Sequence, residues 1–131
     1  MVGDPVGDFI IRLKNASMAG HDTCAVPYSR LKHAIADKLA AKGYIVSAEK
    51  KGRKVKKTLE ISLARDAKGG ARIHDVDRIS KPGRRVYRSA REIRPVKYGH
   101  GTLVLSTPRG ILTGEEAREG KVGGEALFNI W

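Results

Sequence analysis

The stretch that most limits what this chain can fold into lies near its C-terminal end. There Leu103-Val104-Leu105 runs straight into Ser106-Thr107-Pro108-Arg109-Gly110. An apolar run stopped by hydroxyls, a ring-locked proline and a glycine is a buried strand that hands the chain to a polar turn at the surface. Next, Thr113-Gly114-Glu115-Glu116 has the Thr-x-x-Glu spacing of a capping box, so a short helix starts there and Gly120 ends it. Gly123-Gly124 returns the chain into a last strand over residues 126–131. A strand entering in this way brings Glu125, at its start, beside the serine-threonine loop.

The chemistry of that loop suits RNA better than catalysis. Ser106 and Thr107 offer short hydroxyls that match unstacked base edges and ribose 2′-hydroxyls. Pro108 fixes φ and removes an N–H, which stiffens the loop. Arg109 brings a forked charge for phosphate, and Gly110 allows close approach of backbone to ligand. Glu125 has two readings: an ion pair with a neighbouring Arg or Lys, or a carboxylate that holds a base-edge donor or orients Tyr87 or an arginine. The second is preferred, because the carboxylate is brought beside the loop.

Charge points the same way. The chain of 131 residues carries 26 Lys and Arg against 14 Asp and Glu, a net charge of +12, while 40% of its residues are hydrophobic. The positive charge therefore sits on a folding protein, and its natural partner is a polyanion. No apolar run approaches the ~20 residues that span a bilayer, and Met1-Val2-Gly3-Asp4-Pro5 does not begin a secretion signal. No membrane association is expected. The single cysteine, Cys24, excludes an internal disulfide and fits a reducing cytoplasm.

From the start of the chain, Asp4 caps a helix with Pro5 at its first position, and Val6, Phe9, Ile10, Leu13 and Ala16 form its apolar stripe to about Ala19. Asp8, Arg12, Lys14 and Asn15 fall on the other side. Ala25-Val26 is a short strand. Ser29 caps a second helix with Leu31, Ile35 and Leu39 inward, closed by Gly43. Residues 44–46 and 58–63 are strands, joined by a basic hairpin tip over residues 50–57 that can reach phosphate without reading sequence. A polar linker, residues 66–72, is expected to separate a 1–65 subdomain of order α-β-α-β-β from a 73–131 subdomain, mainly antiparallel β with short helices. Fold class is thus α+β. In the second subdomain residues 73–80 read as a strand, Lys81-Pro82-Gly83 as a turn, and Arg84-Arg85-Val86-Tyr87-Arg88 as a strand of alternating basic and apolar residues. Tyr87 is either a buried ring or a stacking platform for a base.

Other chemistry lacks its signature. His21, His33, His74, His100 and Cys24 have no metal-ligand spacing, Ser106 stands in no nucleophile elbow, and the glycine pairs form no Walker or dinucleotide loop. No cofactor or small-molecule substrate is expected. A basic DNA-binding architectural protein would share the charge but needs a recognition helix that the pattern does not contain, and a small serine hydrolase using Ser106 lacks an activating base.

The same residues carry a resemblance. Ser106-Thr107-Pro108-Arg109-Gly110-Ile111-Leu112-Thr113, then Glu116-Ala117-Arg118, then Gly123-Gly124-Glu125, resembles the signature of the family of the eighth protein of the small ribosomal subunit, in its bacterial form. Asp4-Pro5, Arg12-Leu13-Lys14-Asn15, Leu31-Lys32, Gly43-Tyr44-Ile45 and Lys81-Pro82-Gly83-Arg84-Arg85-Val86-Tyr87 are similar to the family's counterparts, so the likeness covers the chain apart from the basic hairpin and the linker. It implies two α+β subdomains in a cytoplasmic ribosomal constituent that binds the central domain of 16S rRNA, acts in 30S assembly and touches neighbouring small-subunit proteins. It also implies an RNA-contact loop at Ser106, Thr107, Arg109 and Gly110, supported by Tyr87, Gly124 and Glu125 and set across the minor groove of an irregular helix; Pro108 within the loop and the basic Arg84 and Arg85 are RNA-binding candidates beside them. Weaker contacts are implied at Asp4, Pro5, Arg12, Asn15, Arg30 and Lys32, with Lys14 a further candidate among them. Where the family usually has a second serine this chain has Pro108, which removes a hydroxyl and an N–H.

Overall fold

A computed structural model describes residues 4–52 and 55–131, with the backbone alone for Tyr98. Met1 to Gly3 of the N-terminus and Arg53-Lys54 of the basic hairpin lie outside the described residues. The fold is α+β, with three α-helices and two antiparallel sheets among the described residues. It divides into two compact units, one of Phe9–His74 and one that joins the chain up to Asp8 with Asp75–Trp131.

The first unit contains β1 (Thr23–Pro27), α2 (Arg30–Ala41), β2 (Ile45–Lys51) and β3 (Thr58–Leu63), with most of α1 (Pro5–Met18). Its sheet has the order β1-β3-β2. Leu59, Ile61 and Leu63 alternate along the central strand and are buried, as a period of two on a half-covered sheet requires. Helix α2 begins at the expected cap, Ser29, whose hydroxyl accepts the Lys32 N–H at 3.1 Å, and the chain leaves it through Gly43 at φ +82°. Its buried stripe is Ile35, Ala36 and Leu39. Leu31, expected inside, is 41% exposed. Helical side chains lean toward the N-terminus, so a first-turn leucine leans off the helix end and not onto the sheet. Residues 66–72, read from composition as a linker, form a closed turn of this unit: Asp66 Oδ1 accepts the N–H of Lys68 (2.9 Å) and Gly70 (2.7 Å), and Arg65 bridges to Ala71.

The second unit holds β4 (Val76–Arg78), β5 (Tyr87–Arg88), β6 (Thr102–Thr107), β7 (Gly110–Thr113), α3 (Gly114–Glu119) and β8 (Gly124–Ile130). Its sheet runs β4-β8-β6-β7, with β5 also pairing β8. Leu103, Leu105, Ala126, Ile93 and Ala117 make a core, and α3 packs on β6 and β7 above it. The capping box at Thr113 is formed on both sides: the Thr113 hydroxyl accepts from Glu116 N–H, and the Glu116 carboxylate accepts from Thr113 N–H at 3.0 Å. The strand expected over residues 73–80 shortens to Val76–Arg78. Ile73 belongs to the first unit, where its N–H donates to Ser17 Oγ, and the N–H groups of Ile79 and Ser80 converge on one carbonyl, that of Leu127. Leu127 sits where the β6–β8 register slips between Val104 and Leu105, so the chain bends there.

Asp4 anchors the start of α1 to this sheet. Its carboxylate accepts the Gly7 N–H at 3.1 Å and takes two bonds from Arg78, at 3.0 and 3.2 Å, while Arg78 also donates to the Leu127 carbonyl at 2.6 Å. Burial pushes the Asp4 pKa up, but the bonds from Arg78 and Gly7 and the charges of Arg78 and Arg85 outweigh it and leave the pKa lowered. A folded-state pKa below the unfolded one gives stability that is complete above the unfolded value, about 4, and is lost as pH falls through the folded value. Asp4→Asn keeps the cap and removes the charge. It is expected to unfold at lower denaturant than the parent at pH 7, with the gap closing below about pH 4; a gap constant down to about pH 2 would show that the ion pair contributes nothing.

Candidate nucleic-acid interface

Strand register builds the candidate site. Tyr87 faces Glu125 across β5–β8, Glu125 faces Ser106 across β8–β6, and Ser106 faces Ile111 across β6–β7. Residues directly opposite one another in antiparallel strands put their side chains on the same face. Because Leu105 and Ala126, one step along, fill the core, Ser106 and Glu125 stand on the other face. Tyr87 is 66% exposed, so the ring is not buried.

At the end of β6 the chain reverses through Pro108 and Arg109, a two-residue turn between the paired Thr107 and Gly110. Pro108 supplies a fixed φ, and Gly110 takes φ +102°, where a side chain would be strained. Pro108, Arg109 and Gly110 are exposed, and Ser106 and Thr107 are half-buried. The Thr107 hydroxyl donates to the Gly110 carbonyl at 2.8 Å and accepts the Arg109 N–H at 3.1 Å. This corrects the expectation that both hydroxyls face outward for a partner, since that of Thr107 is used to close the turn. Among the described residues the Ser106 hydroxyl takes no hydrogen bond. Nη1 of Arg109 lies beside Gly120 at the end of α3, so close that a Cβ on residue 120 would stand 3.4 Å from it.

Glu125 is held tightly. Its Oε2 accepts from the buried Ser80 hydroxyl and from Arg85 Nη1 at 3.1 Å, and Ser80 Oγ in turn accepts the Val86 N–H at 3.2 Å. The ion-pair reading of Glu125 is therefore the observed geometry, and the group it orients is the guanidinium of Arg85, half of whose side chain is exposed. Gly124 has a steric reason: a Cβ there would run into the Ser106 carbonyl oxygen and stand 2.9 Å from Thr107 Cγ2. Arg84 is exposed, in a turn closed by paired backbone bonds with Lys81.

The weaker, N-terminal candidates divide between the two units, Asp4 and Pro5 in one and Arg12, Lys14, Asn15, Arg30 and Lys32 in the other. Asp4 is engaged by Arg78 and Gly7, and Pro5 is the exposed first residue of α1. Arg12 and Asn15 are exposed on α1, and Lys14 is half-buried with a partner. Arg30 is exposed at the start of α2, while Lys32 Nζ donates to the Pro27 carbonyl at 3.2 Å. Burial pushes the Cys24 thiol up and the nearby Arg12 partly offsets it. Two structural residues, Ser80 and Arg78, were not identified by sequence. Each pairs with a carboxylate more than forty residues away, and local pattern carries no signal for such a partner. Among the described residues no group of three His, Cys, Asp or Glu could hold a metal ion.

A cationic α+β unit that presents an aromatic ring, a hydroxyl and a carboxylate-held guanidinium on one sheet face has the architecture of a nucleic-acid-binding protein. The family model for ribosomal protein S8 matches residues 4–131, and the chain belongs to that family. It is 43% identical over 130 residues to the small ribosomal subunit protein uS8 of Mycoplasmopsis agalactiae, covering 99% of this chain and 98% of that one. It is 40% identical over 131 residues to the uS8 proteins of Helicobacter pylori and Helicobacter acinonychis, covering all of both chains. The chain is accordingly a structural, non-enzymatic constituent of the small ribosomal subunit, in the cytoplasm, among ribosomal RNA and ribosomal proteins.

The close contact at Gly124 gives a stability prediction. Gly124→Ala forces β8 away from β6 and is expected to destabilise the protein by about 1–3 kcal/mol. Thermal unfolding measures it, and an unchanged melting temperature would mean that the strands separate there without cost.

Proposed function

We propose that the chain is a primary binder of the central domain of 16S rRNA and acts in 30S assembly, with the C-terminal sheet as its reading face. The observation that supports this best is the register row Tyr87–Glu125–Ser106, which sets a ring, an arginine held by its carboxylate partner and an unoccupied hydroxyl next to a rigid turn. The surplus of cations, +12 in all, supplies sequence-blind attraction to phosphate and releases counterions. Selectivity comes from base edges opened by an irregular helix. Ser106 reads a base edge or a 2′-hydroxyl, Tyr87 stacks, and Arg85 and Arg109 meet phosphate. Arg84 adds charge from its turn, and Gly110 lets the strand backbone approach the minor groove. Thr107 and Pro108 position the tip, and Gly124 lets β8 lie close under it. Arg12, Asn15 and Arg30 add weaker contacts from the first unit. Lys14 and Lys32 are tethered within the chain, and Asp4 and Pro5 act by fixing the start of α1.

A salt series of filter-binding titrations tests the reading. Affinity for a central-domain RNA helix is expected to exceed that for plain duplex and to fall steeply with salt. Arg109→Ala lowers the slope of log affinity against log salt by about one. Ser106→Ala leaves the slope unchanged but weakens binding about tenfold with no loss of melting temperature, whereas Thr107→Ala lowers both affinity and melting temperature. Affinity that ignores salt, or that equals affinity for plain duplex, overturns the proposal.

A further inference from the structure

A groove of ≈ 460 Å³ opens on the opposite face of the same sheet, away from Ser106 and Glu125. Its lining includes the exposed Asp77 and the half-buried Asn129, directly opposite each other across β4–β8, with Leu103 opposite Asn129 on β6. Its walls come from the segment between Arg88 and Lys97 and from Trp131.

Four features of this groove have no part in the reading face. First, the Asp77 carboxylate and the Asn129 amide have no hydrogen-bond partner among the described residues, although adjacent charged groups are tied down. Glu92, for instance, accepts the Ser89 N–H at 2.9 Å. Second, Trp131 is fixed through paired backbone bonds to Asp75, and its ring carries the Lys97 ammonium at 4.4 Å. Third, Lys97 holds φ +49°, one of two non-glycine residues at positive φ among the described residues. Such conformations cost energy and concentrate where function needs them. Fourth, Arg88 and Arg94 join Lys97 around the rim, each guanidinium steadied by a backbone carbonyl.

An amide that offers a donor beside an acceptor matches the edge of a purine, and a carboxylate beside it accepts from an amino group or a ribose hydroxyl. An indole ring is a stacking surface for a base, and a rim of arginine and lysine neutralises a phosphate. We propose that this groove binds one purine nucleotide, with its base edge at Asn129 and its phosphate at Arg94 and Lys97, the Lys97 ammonium leaving the Trp131 ring as the base stacks there. A free mononucleotide and an unstacked residue of a single RNA strand present the same chemistry. The site is separate from the row that contains Ser106 and does not depend on the role proposed for it. A basic peptide is the weaker fit, because three rim cations oppose it.

Trp131 is the only tryptophan in the chain, so its emission reports occupancy. Titration of the whole protein with adenosine monophosphate, and separately with a short single-stranded oligoadenylate, is expected to change that emission saturably. A response to both identifies a nucleotide site open to free ligand. A response to the strand alone identifies a site for a residue within RNA. Asn129→Ala is expected to weaken binding about tenfold. Lys97→Gly separates fold from ligand: glycine takes φ +49° without strain, so the melting temperature holds or rises while nucleotide binding falls. No change in emission with either nucleotide, or equal binding by Asn129→Ala, overturns the assignment. So does a response to an arginine-rich peptide where both nucleotides give none.

Discussion

The candidate site depends on one stretch of strand pairing, the last two rungs of β6 on β8. Leu105 opposite Ala126 is buried, and Ser106 opposite Glu125 points the other way. Because side chains alternate, burial of the first pair fixes the exposure of the second, and a slip of one residue would turn the hydroxyl into the core. The bulge at Leu127 sets this register, and the carbonyl of that same residue receives Ile79, Ser80 and Arg78. Gly124 completes it, since only a residue without a Cβ lets β8 pass so close under the Ser106 carbonyl. The hydroxyl is therefore positioned by core packing, at no cost in its own hydrogen-bonding capacity.

Acidic residues serve the arrangement by holding cations in place. In the second unit Asp4 binds Arg78, which fastens the first turn of α1 to the bulged strand, and Glu125 binds Arg85 beside the exposed Tyr87 ring. The two pairs differ in environment. Arg78 is 12% exposed and serves the fold, while Arg85 keeps half its surface in solvent and can meet a partner without leaving its carboxylate. An exposed ion pair of this kind adds little stability, but it limits the rotamers of a long side chain and so lowers the entropy lost on binding.

Features written in adjacent residues were legible in the sequence. The Ser29 cap, the Thr113 capping box and the alternation of Leu59, Ile61 and Leu63 are local rules, and the structure follows them. The α+β class follows from their sum. Features that depend on a distant partner were hidden. Ser80 looks like a strand end, yet it is buried and bonded to Glu125, 45 residues on. The strand expected over residues 73–80 contracts because its ends serve different units. At the site, the tip's location was legible from Pro108 and Gly110. The division of labour between its hydroxyls was not, because two neighbouring Ser and Thr residues read alike until the turn geometry gives one of them two partners.

That division follows from pleat and turn together. On a strand, consecutive residues face opposite ways, so Ser106 and Thr107 could never present their hydroxyls side by side to one ligand. The residue nearer the turn can reach across the reversal to the Gly110 carbonyl and to the Arg109 N–H. Satisfying them with Thr107 stiffens the tip and leaves the ladder-paired Ser106 with a hydroxyl that the fold does not need. Pro108 extends the same logic, because a residue without an N–H at the tip leaves one fewer backbone donor to be matched by solvent or ligand. The sheet thus meets its own hydrogen-bonding requirements at the turn, and what remains on its surface, a ring, a hydroxyl and oriented guanidinium groups, is available to a partner.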